Sequence, residues 1–414
     1  MQVFNIAEQM AQSAFRVGKN ARVFAKHGLG WLRDGRTDTA VRLRQMFEEL
    51  GATYIKMGQF IASAPSFFPE EYVTAFQDCL DKTPPLPFHV IRKVIEQELG
   101  GPLGQYYSWV DETPLASASI GQVHAAKTIA GHDVVVKVQK PGVENILRTD
   151  LQLVHTSSIL LEKLFPQMKM ASISAICQEM KVGMLQECDF MAEMYQLDNF
   201  RAFLLDKGIT DVTAPQPYPH LSTKRLLTME RLYGVPFTDL DRVAHLTKDP
   251  EAALISGMNA WFATLLEGHY FHADVHAGNL LVLNDGRVAF IDFGIVGKVK
   301  PATWNGVQNL VTSLMSQDFK MMAQALYDIG MTEMTIDMDK FALDIQNLFG
   351  KTNHAHEAYD QTLMELSQVA KKYGIHFPRE FALLMKQLLY FDRYVQLVSP
   401  HAGFYQDERL EFLL

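Results

Sequence analysis

The stretch His272-Ala273-Asp274-Val275-His276-Ala277-Gly278-Asn279, continued to Asp292-Phe293-Gly294, decides how the rest of the chain reads. Between the two motifs lie Leu280 to Leu283 and Val288 to Ile291, apolar runs joined by Asn284-Asp285-Gly286, whose Asp-Gly step predicts a β-hairpin. A predicted helix over 251–268 leads into the first motif. Two carboxylates and a carboxamide are thus carried by a loop and by the end of a hairpin, where a regular scaffold can fix polar side chains.

An aspartate, an asparagine five residues on and a second aspartate just past a hairpin are the phosphoryl-transfer constellation of protein kinases. The chemistry accounts for the residue types. Charge on the γ-phosphoryl oxygens calls for Mg²⁺, for which Asn279 and Asp292 are the ligands, and the attacking hydroxyl must be oriented and deprotonated, the role of Asp274. His272 and His276 flank Asp274, but no third His or Cys lies close by in sequence. One of them is expected to pack or hydrogen-bond within the loop, rather than the two holding zinc.

Upstream, Val134 to Gln139 reads as a strand in which Val134, Val136 and Val138 share one face and Lys137 stands on the other. That placement suits the lysine that holds nucleotide phosphates and pairs with a helix glutamate. Where a glycine-rich phosphate loop is expected, the chain has Leu115-Ala116-Ser117-Ala118-Ser119-Ile120-Gly121-Gln122-Val123: small side chains permit close backbone approach, and Gly121 alone has glycine's freedom. A helix near 180–200 carries Glu187-Cys188-Asp189-Phe190-Met191-Ala192-Glu193; the spacing predicts Asp189 and Glu193 one turn apart on one face, in need of cations.

Around these motifs the organisation is α+β, strands first and helices after, in two lobes. Val3, Ala7, Met10, Ala14, Val17, Ala21 and Phe24 recur at helical steps among Arg16, Lys19, Arg22 and Lys26, giving a basic amphipathic helix over residues 1–36, which carry +4 of a net charge of -9. A helical extension spans 37–105, interrupted by Pro84, Pro85 and Pro87. Strand grammar with inserted helices (148–165 and 172–205) and a strand at Leu226 to Leu232 fill 106–233, and a helical lobe spans 234–414, with no strand expected beyond Gly297. With 414 residues, 48% hydrophobic and 21% charged, the chain is an ordinary globular one. Its three cysteines are scattered, which excludes a disulfide framework and suits a reducing compartment. No stretch reaches the roughly 20 apolar residues of a spanning helix, no signal-peptide core is present, and the acidic balance argues against nucleic acid as a partner.

Taken together the segments resemble the UbiB-like, AarF-domain family of atypical kinases, over roughly residues 40–300. The hallmarks are a K-x-G-Q motif (Lys56-Met57-Gly58-Gln59), an alanine-rich loop (116–119), an E-x-D motif (Glu187, Asp189), the H-A-D-x-H-x-G-N loop (272–279) and the Asp-Phe-Gly at 292–294; Gln77-Asp78 and Lys140-Pro141-Gly142 also read as family sequence. The resemblance implies a two-lobed protein-kinase-like fold. Its K-x-G-Q extension would fold over the active site, bringing Lys56 to the nucleotide site facing Glu187 and Asp189, so that Lys56 and Lys137 join Asp274 as catalytic residues and Lys56, Gln59, Glu187 and Asp189 form a regulatory set. Glu193 would partner Lys137, and Met229, Glu230 and Leu232 would form the adenine-side hinge. Residues Ala116 to Gly121 and Val123 would line the nucleotide.

The resemblance further implies ATP or ADP with Mg²⁺, ATPase or small-molecule phosphotransferase activity rather than protein-kinase activity, and support of ubiquinone biosynthesis with quinone-biosynthesis proteins as partners. Val275 and Ala277 replace two prolines common in family loops, and Ser117 stands where alanine is usual, a change expected to bear on nucleotide preference. The family's hydrophobic C-terminal segment is missing from Phe381 to Leu414, so a cytoplasmic protein is expected, peripheral at the inner membrane through its N-terminal helix. Two other readings stay open on sequence: a nucleotide-gated pseudokinase scaffold, and a lipid-handling protein without phosphotransfer.

Overall fold

A computed structural model describes residues 18, 20, 22, 23, 25–27, 39–62, 70–77, 83–164, 173–276, 278–330, 332, 335–349, 359–375, 377–398, 409 and 410. Numbered in chain order, its strands are β1 (Tyr107–Val110), β2 (Ala116–Ser117), β3 (Gly121–Thr128), β4 (Asp133–Gln139), β5 (Val212–Thr213), β6 (Leu226–Glu230), β7 (Gly234–Pro236), β8 (Tyr270–His272), β9 (Leu280–Leu283), β10 (Val288–Phe290) and β11 (Val296–Lys298). Two compact units result. Unit 1 takes the described residues within Met1–Ala62, Pro69–Met194 and Pro217–Arg231, and unit 2 those within Tyr195–Gln216 and Leu232–Leu414.

Unit 1 is built on an antiparallel sheet in the order β1-β3-β4-β6, with β2 added to β3. The alternation read along β4 holds: Val134, Val136 and Val138 are fully buried against Ile91, Val94 and Ile95 of helix Phe88–Leu99, which leaves Lys137 on the other face. Each such burial contributes about 1.5–3 kcal/mol. That helix stops at Gly100, whose φ of 76° forms a left-handed cap and whose N–H bonds the Glu96 carbonyl. Helices Thr39–Leu50, Ala52–Ala62 and Glu70–Gln77 pack through Phe47, Tyr54 and Phe76, with ring centroids 5.5 and 5.1 Å apart.

Of the basic N-terminal helix expected over 1–36, residues 1–17, 19, 21, 24 and 28–36 lie outside the described set. The described part packs on its own unit: Val23 is buried, and buried Asn20 donates from Nδ2 to Tyr54 Oη (3.0 Å) and Asp150 Oδ1 (2.9 Å).

Three expectations need correcting in this half of the chain. The inserted helices run Val143–Leu164, Ile173–Gln186 and Phe190–Asp206, so Glu187 to Asp189 form a break rather than the middle of one helix. Asp189 therefore does not share a helix face with Glu193; it sits just before the last of these helices, its Oδ1 accepting from the N–H groups of Met191 (3.1 Å) and Ala192 (3.4 Å). A short carboxylate bonds free N–H groups at a helix start better than it tolerates a like charge one turn away. Finally, β6 ends at Glu230 rather than Leu232, because its ladder with β4 runs out at Val134↔Glu230, and the Arg231 N–H closes it on the Asp133 carbonyl.

Unit 2 holds one sheet ordered β5-β10-β9-β7, parallel only between β5 and β10, and a second pair, β11-β8. The predicted hairpin is β9–β10, with Val282↔Val288 in register and Gly286 at φ 87° closing a three-residue loop. Helix Pro250–Leu266 starts at Asp249, which accepts from the Ala252 N–H, and buries Leu254, Met258, Trp261 and Leu265. Strand β11 corrects the expectation of helix alone from Gly297: Gly297 pairs with Phe271 and Lys298 with Tyr270. Helices Trp304–Ser316, Phe319–Ile329, Met338–Phe349, Tyr359–Lys372 and Arg379–Val398 follow. The last packs Phe391 on Trp261 (5.2 Å) and Tyr394 on Phe237 (6.1 Å).

Candidate active site

Unit 1 brings together the cations and carboxylates that the sequence singled out there. Lys137 Nζ donates to both Glu193 oxygens at 2.9 Å, with side-chain exposures of 18% and 3%, and lies 5.3 Å from the centre of the Phe190 ring. Burying a carboxylate this deeply is costly without a cation, so the pair holds the first turn of helix Phe190–Asp206 against β4. Lys56, on helix Ala52–Ala62, donates to Glu187 Oε2 in a second, mostly buried pair. Gln59 is half-buried one turn further along the same helix. The break carrying Glu187 and Asp189 is itself anchored: Gln139 Nε2 donates to the Cys188 carbonyl (2.9 Å) and the Phe190 N–H to the Lys224 carbonyl (3.0 Å).

The small-residue loop is a tight reversal from β2 into β3. Ala116 pairs with Val123 and Ser117 with Gln122, while the Ala118 N–H bonds the Gly121 carbonyl at 2.9 Å. Ser119 and Ile120 are buried. Gly121 is required for close approach rather than for a left-handed φ, because a Cβ there would lie 2.7 Å from the Val138 carbonyl oxygen. A strap from the Pro cluster braces the reversal: Lys140 Nζ donates to Thr83 Oγ1 (2.6 Å), which donates to the Ala118 carbonyl (2.7 Å). Ser117 Oγ is buried with no hydrogen-bond partner among the described residues, so the departure from alanine leaves one polar atom for a ligand to satisfy. Met229 is buried on β6 beside half-buried Glu230; Leu232, half-buried, belongs to unit 2.

In unit 2 the catalytic-type loop is held atom by atom. Asn279 Nδ2 donates to the Asp274 carbonyl (3.0 Å) and lies 3.5 Å from Asp274 Oδ2, while the Ile291 N–H bonds the Asn279 carbonyl (2.9 Å), tying loop to hairpin. His272 is buried; its Nδ1 accepts from the Asp274 N–H (3.2 Å), leaving the proton on Nε2, which faces the Ile291 carbonyl (3.4 Å). Burial holds this imidazole below the ordinary histidine range despite Asp274 and Asp292 nearby. His276 Nδ1 accepts from the Gly278 N–H (3.0 Å) and its Nε2 stands 3.6 Å from Asp274 Oδ2. Both histidines are thus engaged inside the loop. Of the two residues replacing prolines, Val275 is buried and Ala277 lies outside the described residues.

Asp292 adopts a left-handed φ of 62°, and its Oδ1 accepts from the Gly294 N–H (3.2 Å). Phe293 is buried between Phe200 (5.0 Å) and His272 (4.6 Å). A non-glycine residue in this region signals a position whose surroundings over-determine it. The Asn279 amide nitrogen is committed to Asp274; its amide oxygen and the Asp292 carboxylate are hard oxygen donors, the chemical class that suits Mg²⁺.

Sequence reasoning missed the support from the last helix. Gln387, fully buried, accepts from the Val275 N–H (2.7 Å) and donates to the Ala273 carbonyl (2.9 Å). Tyr394 Oη donates to the Val275 carbonyl (2.9 Å), and Lys386 Nζ stands 3.6 Å from Asp274 Oδ1. The available signal was a glutamine and a tyrosine seven apart, on the otherwise apolar inward face of an amphipathic helix.

Residues 78–326 match the family model of the ABC1 atypical kinase-like domain. The chain is 45% identical to an uncharacterized chloroplastic aarF domain-containing protein kinase of Arabidopsis thaliana, over 89% of this chain and 73% of that relative. It is 29% identical to the probable protein kinase UbiB of Haemophilus ducreyi, over 91% and 72% of the two chains. In fold it is similar to the Rv3197–erythromycin complex from Mycobacterium tuberculosis, with a TM-score of 0.57 at 22% identity, covering 96% of this chain and 95% of that one. The chain therefore belongs to the ABC1 atypical kinase-like family, and its α+β fold is that family's kinase-like fold.

Proposed function

We propose that the protein binds a nucleoside di- or triphosphate with Mg²⁺ and transfers the terminal phosphoryl group of ATP to water or to a small, lipid-related acceptor. The observation that carries this is the Asn279–Asp274 pairing in a loop tied directly to the hairpin that ends in Asp292. Mg²⁺, when bound, would neutralise phosphate-oxygen charge and orient the chain of phosphates. Asn279 and Asp292 are its ligands, and Asp274 orients the attacking hydroxyl and takes its proton. Lys137, held by Glu193, meets the phosphates, while the 116–121 reversal offers backbone N–H groups and the Ser117 hydroxyl to them. Met229, Glu230 and Leu232 take the adenine side.

Lys56 with Glu187, together with Gln59 and Asp189, regulates access of the acceptor, which disfavours a peptide substrate. The relatives named UbiB support a role near isoprenoid-quinone synthesis with quinone-biosynthesis proteins as partners. The proposed membrane contact is peripheral, through the basic N-terminal helix; among the described residues no helix is long and apolar enough to cross a membrane.

The test is turnover of Mg-ATP by wild type and by Asp274→Asn. The variant keeps nucleotide affinity and loses about 10²–10⁴-fold in kcat. Equal turnover by the two proteins would move the chemistry elsewhere, and a wild type that binds nucleotide but never turns it over would favour the scaffold reading.

A further inference from the structure

The last described helix, Arg379–Val398, has no part in the roles above, yet it touches the catalytic-type loop at four atoms. Gln387 and Tyr394, two helical turns apart on one face, fix both backbone groups of Val275 and the carbonyl of Ala273. These are the two neighbours of Asp274, so this helix sets where the carboxylate stands. Lys386, next to Gln387, then reaches the carboxylate itself: Nζ to Oδ1 is 3.6 Å. The lysine is steadied by Tyr390, one turn on, whose ring centre lies 5.6 Å from Nζ.

The geometry points to Lys386 as a positioning residue for phosphoryl transfer, holding the Asp274 carboxylate from a helix more than a hundred residues downstream. This rests on the proposed reaction. Magnitudes separate it from a purely structural salt bridge. The two side chains are 29% and 26% exposed, and a pair this open to water contributes no more than about 1 kcal/mol to stability. The buried Gln387 and Tyr394 contacts already fix the backbone. What Lys386 adds is orientation and charge at the reacting carboxylate, where loss of alignment acts on the rate rather than on the fold. The loop has no lysine or arginine of its own between His272 and Asn279 to do this.

The experiment is single-turnover and steady-state ATP hydrolysis by the full chain as wild type, Lys386→Met, Lys386→Arg, Asp274→Asn and the Asp274→Asn/Lys386→Met double variant. Methionine keeps the helix and the stem of the side chain. The expected results are a kcat about tenfold lower for Lys386→Met with KM for Mg-ATP changed less than about twofold, recovery of most of the loss by Lys386→Arg, and a double variant no slower than Asp274→Asn. The inference is overturned if Lys386→Met keeps the wild-type kcat, if only KM moves, or if the two losses multiply, since a lysine acting through Asp274 has nothing to act on once that carboxylate is gone. A wild type without turnover would instead overturn the reaction and this inference together, an outcome plainly different from an active wild type with an indifferent Lys386.

Discussion

At the scale of single residues, a deep commitment is Glu193, whose side chain is 3% exposed and whose charge is met by Lys137 at 2.9 Å. Removing one member of a buried pair strands the other, so Lys137→Met should destabilise the protein by about 3 kcal/mol, besides weakening nucleotide binding. Urea denaturation measures this, and a loss below about 1 kcal/mol would contradict the pair's assigned weight. Two imidazoles act through their neutral forms. His124, buried with Asp111 O at 2.8 Å, and His272 are both held by burial below the ordinary range. The sign follows directly: near and below the unfolded value of about 6.5 the folded state binds fewer protons than the unfolded one, so stability is present above that pH and is lost as pH falls below it. The denaturation midpoint should drop between pH 7.5 and 5.5, and the drop should shrink in His124→Gln; a drop unchanged by that substitution would count against His124.

At the scale of elements, the last helix and the catalytic-type loop form one mechanical piece. Gln387→Leu leaves the Val275 N–H and the Ala273 carbonyl without their partner, at roughly 1–3 kcal/mol for each buried group, so a loss of about 2–4 kcal/mol is expected by urea denaturation. A loss under about 0.5 kcal/mol would show that the loop does not depend on the helix. Asp189→Ala should cost about 1 kcal/mol as the loss of a helix start, and much less if Asp189 were a mid-helix residue.

This is also the scale at which the sequence spoke most unevenly. Strands β3, β4, β9 and β10 were legible because their alternation or their Asp-Gly turn is local, and Lys137 could be put on the correct face of β4 from the valines alone. Strands β5, β7, β8 and β11 have two or three residues each, too few to show any period, and exist because a neighbour offers them a ladder. The break at Glu187 to Asp189 was hidden because its residues read equally well as helix, and what ends the helix is distant: the Gln139 amide and the Lys224 carbonyl. Asp274, Asn279 and Asp292 were found by motif, whereas Lys386, Gln387 and Tyr394 reach the same loop from 112 to 119 residues away, and nothing in the loop's own sequence points to them.

For the whole molecule, the proposed function turns on whether Asn279 and Asp292 of unit 2 would hold the magnesium of a bound nucleotide. The direct measurement is thermal or chemical stability of wild type and Asp292→Asn with ATP or ADP, each with Mg²⁺ or with a chelator. The account predicts that nucleotide stabilises the wild type only when Mg²⁺ is present, by about 2.7 kcal/mol at a hundredfold excess over the dissociation constant, and that Asp292→Asn loses most of that gain. Equal stabilisation with Mg²⁺ and with chelator, or an undiminished gain in Asp292→Asn, would contradict it.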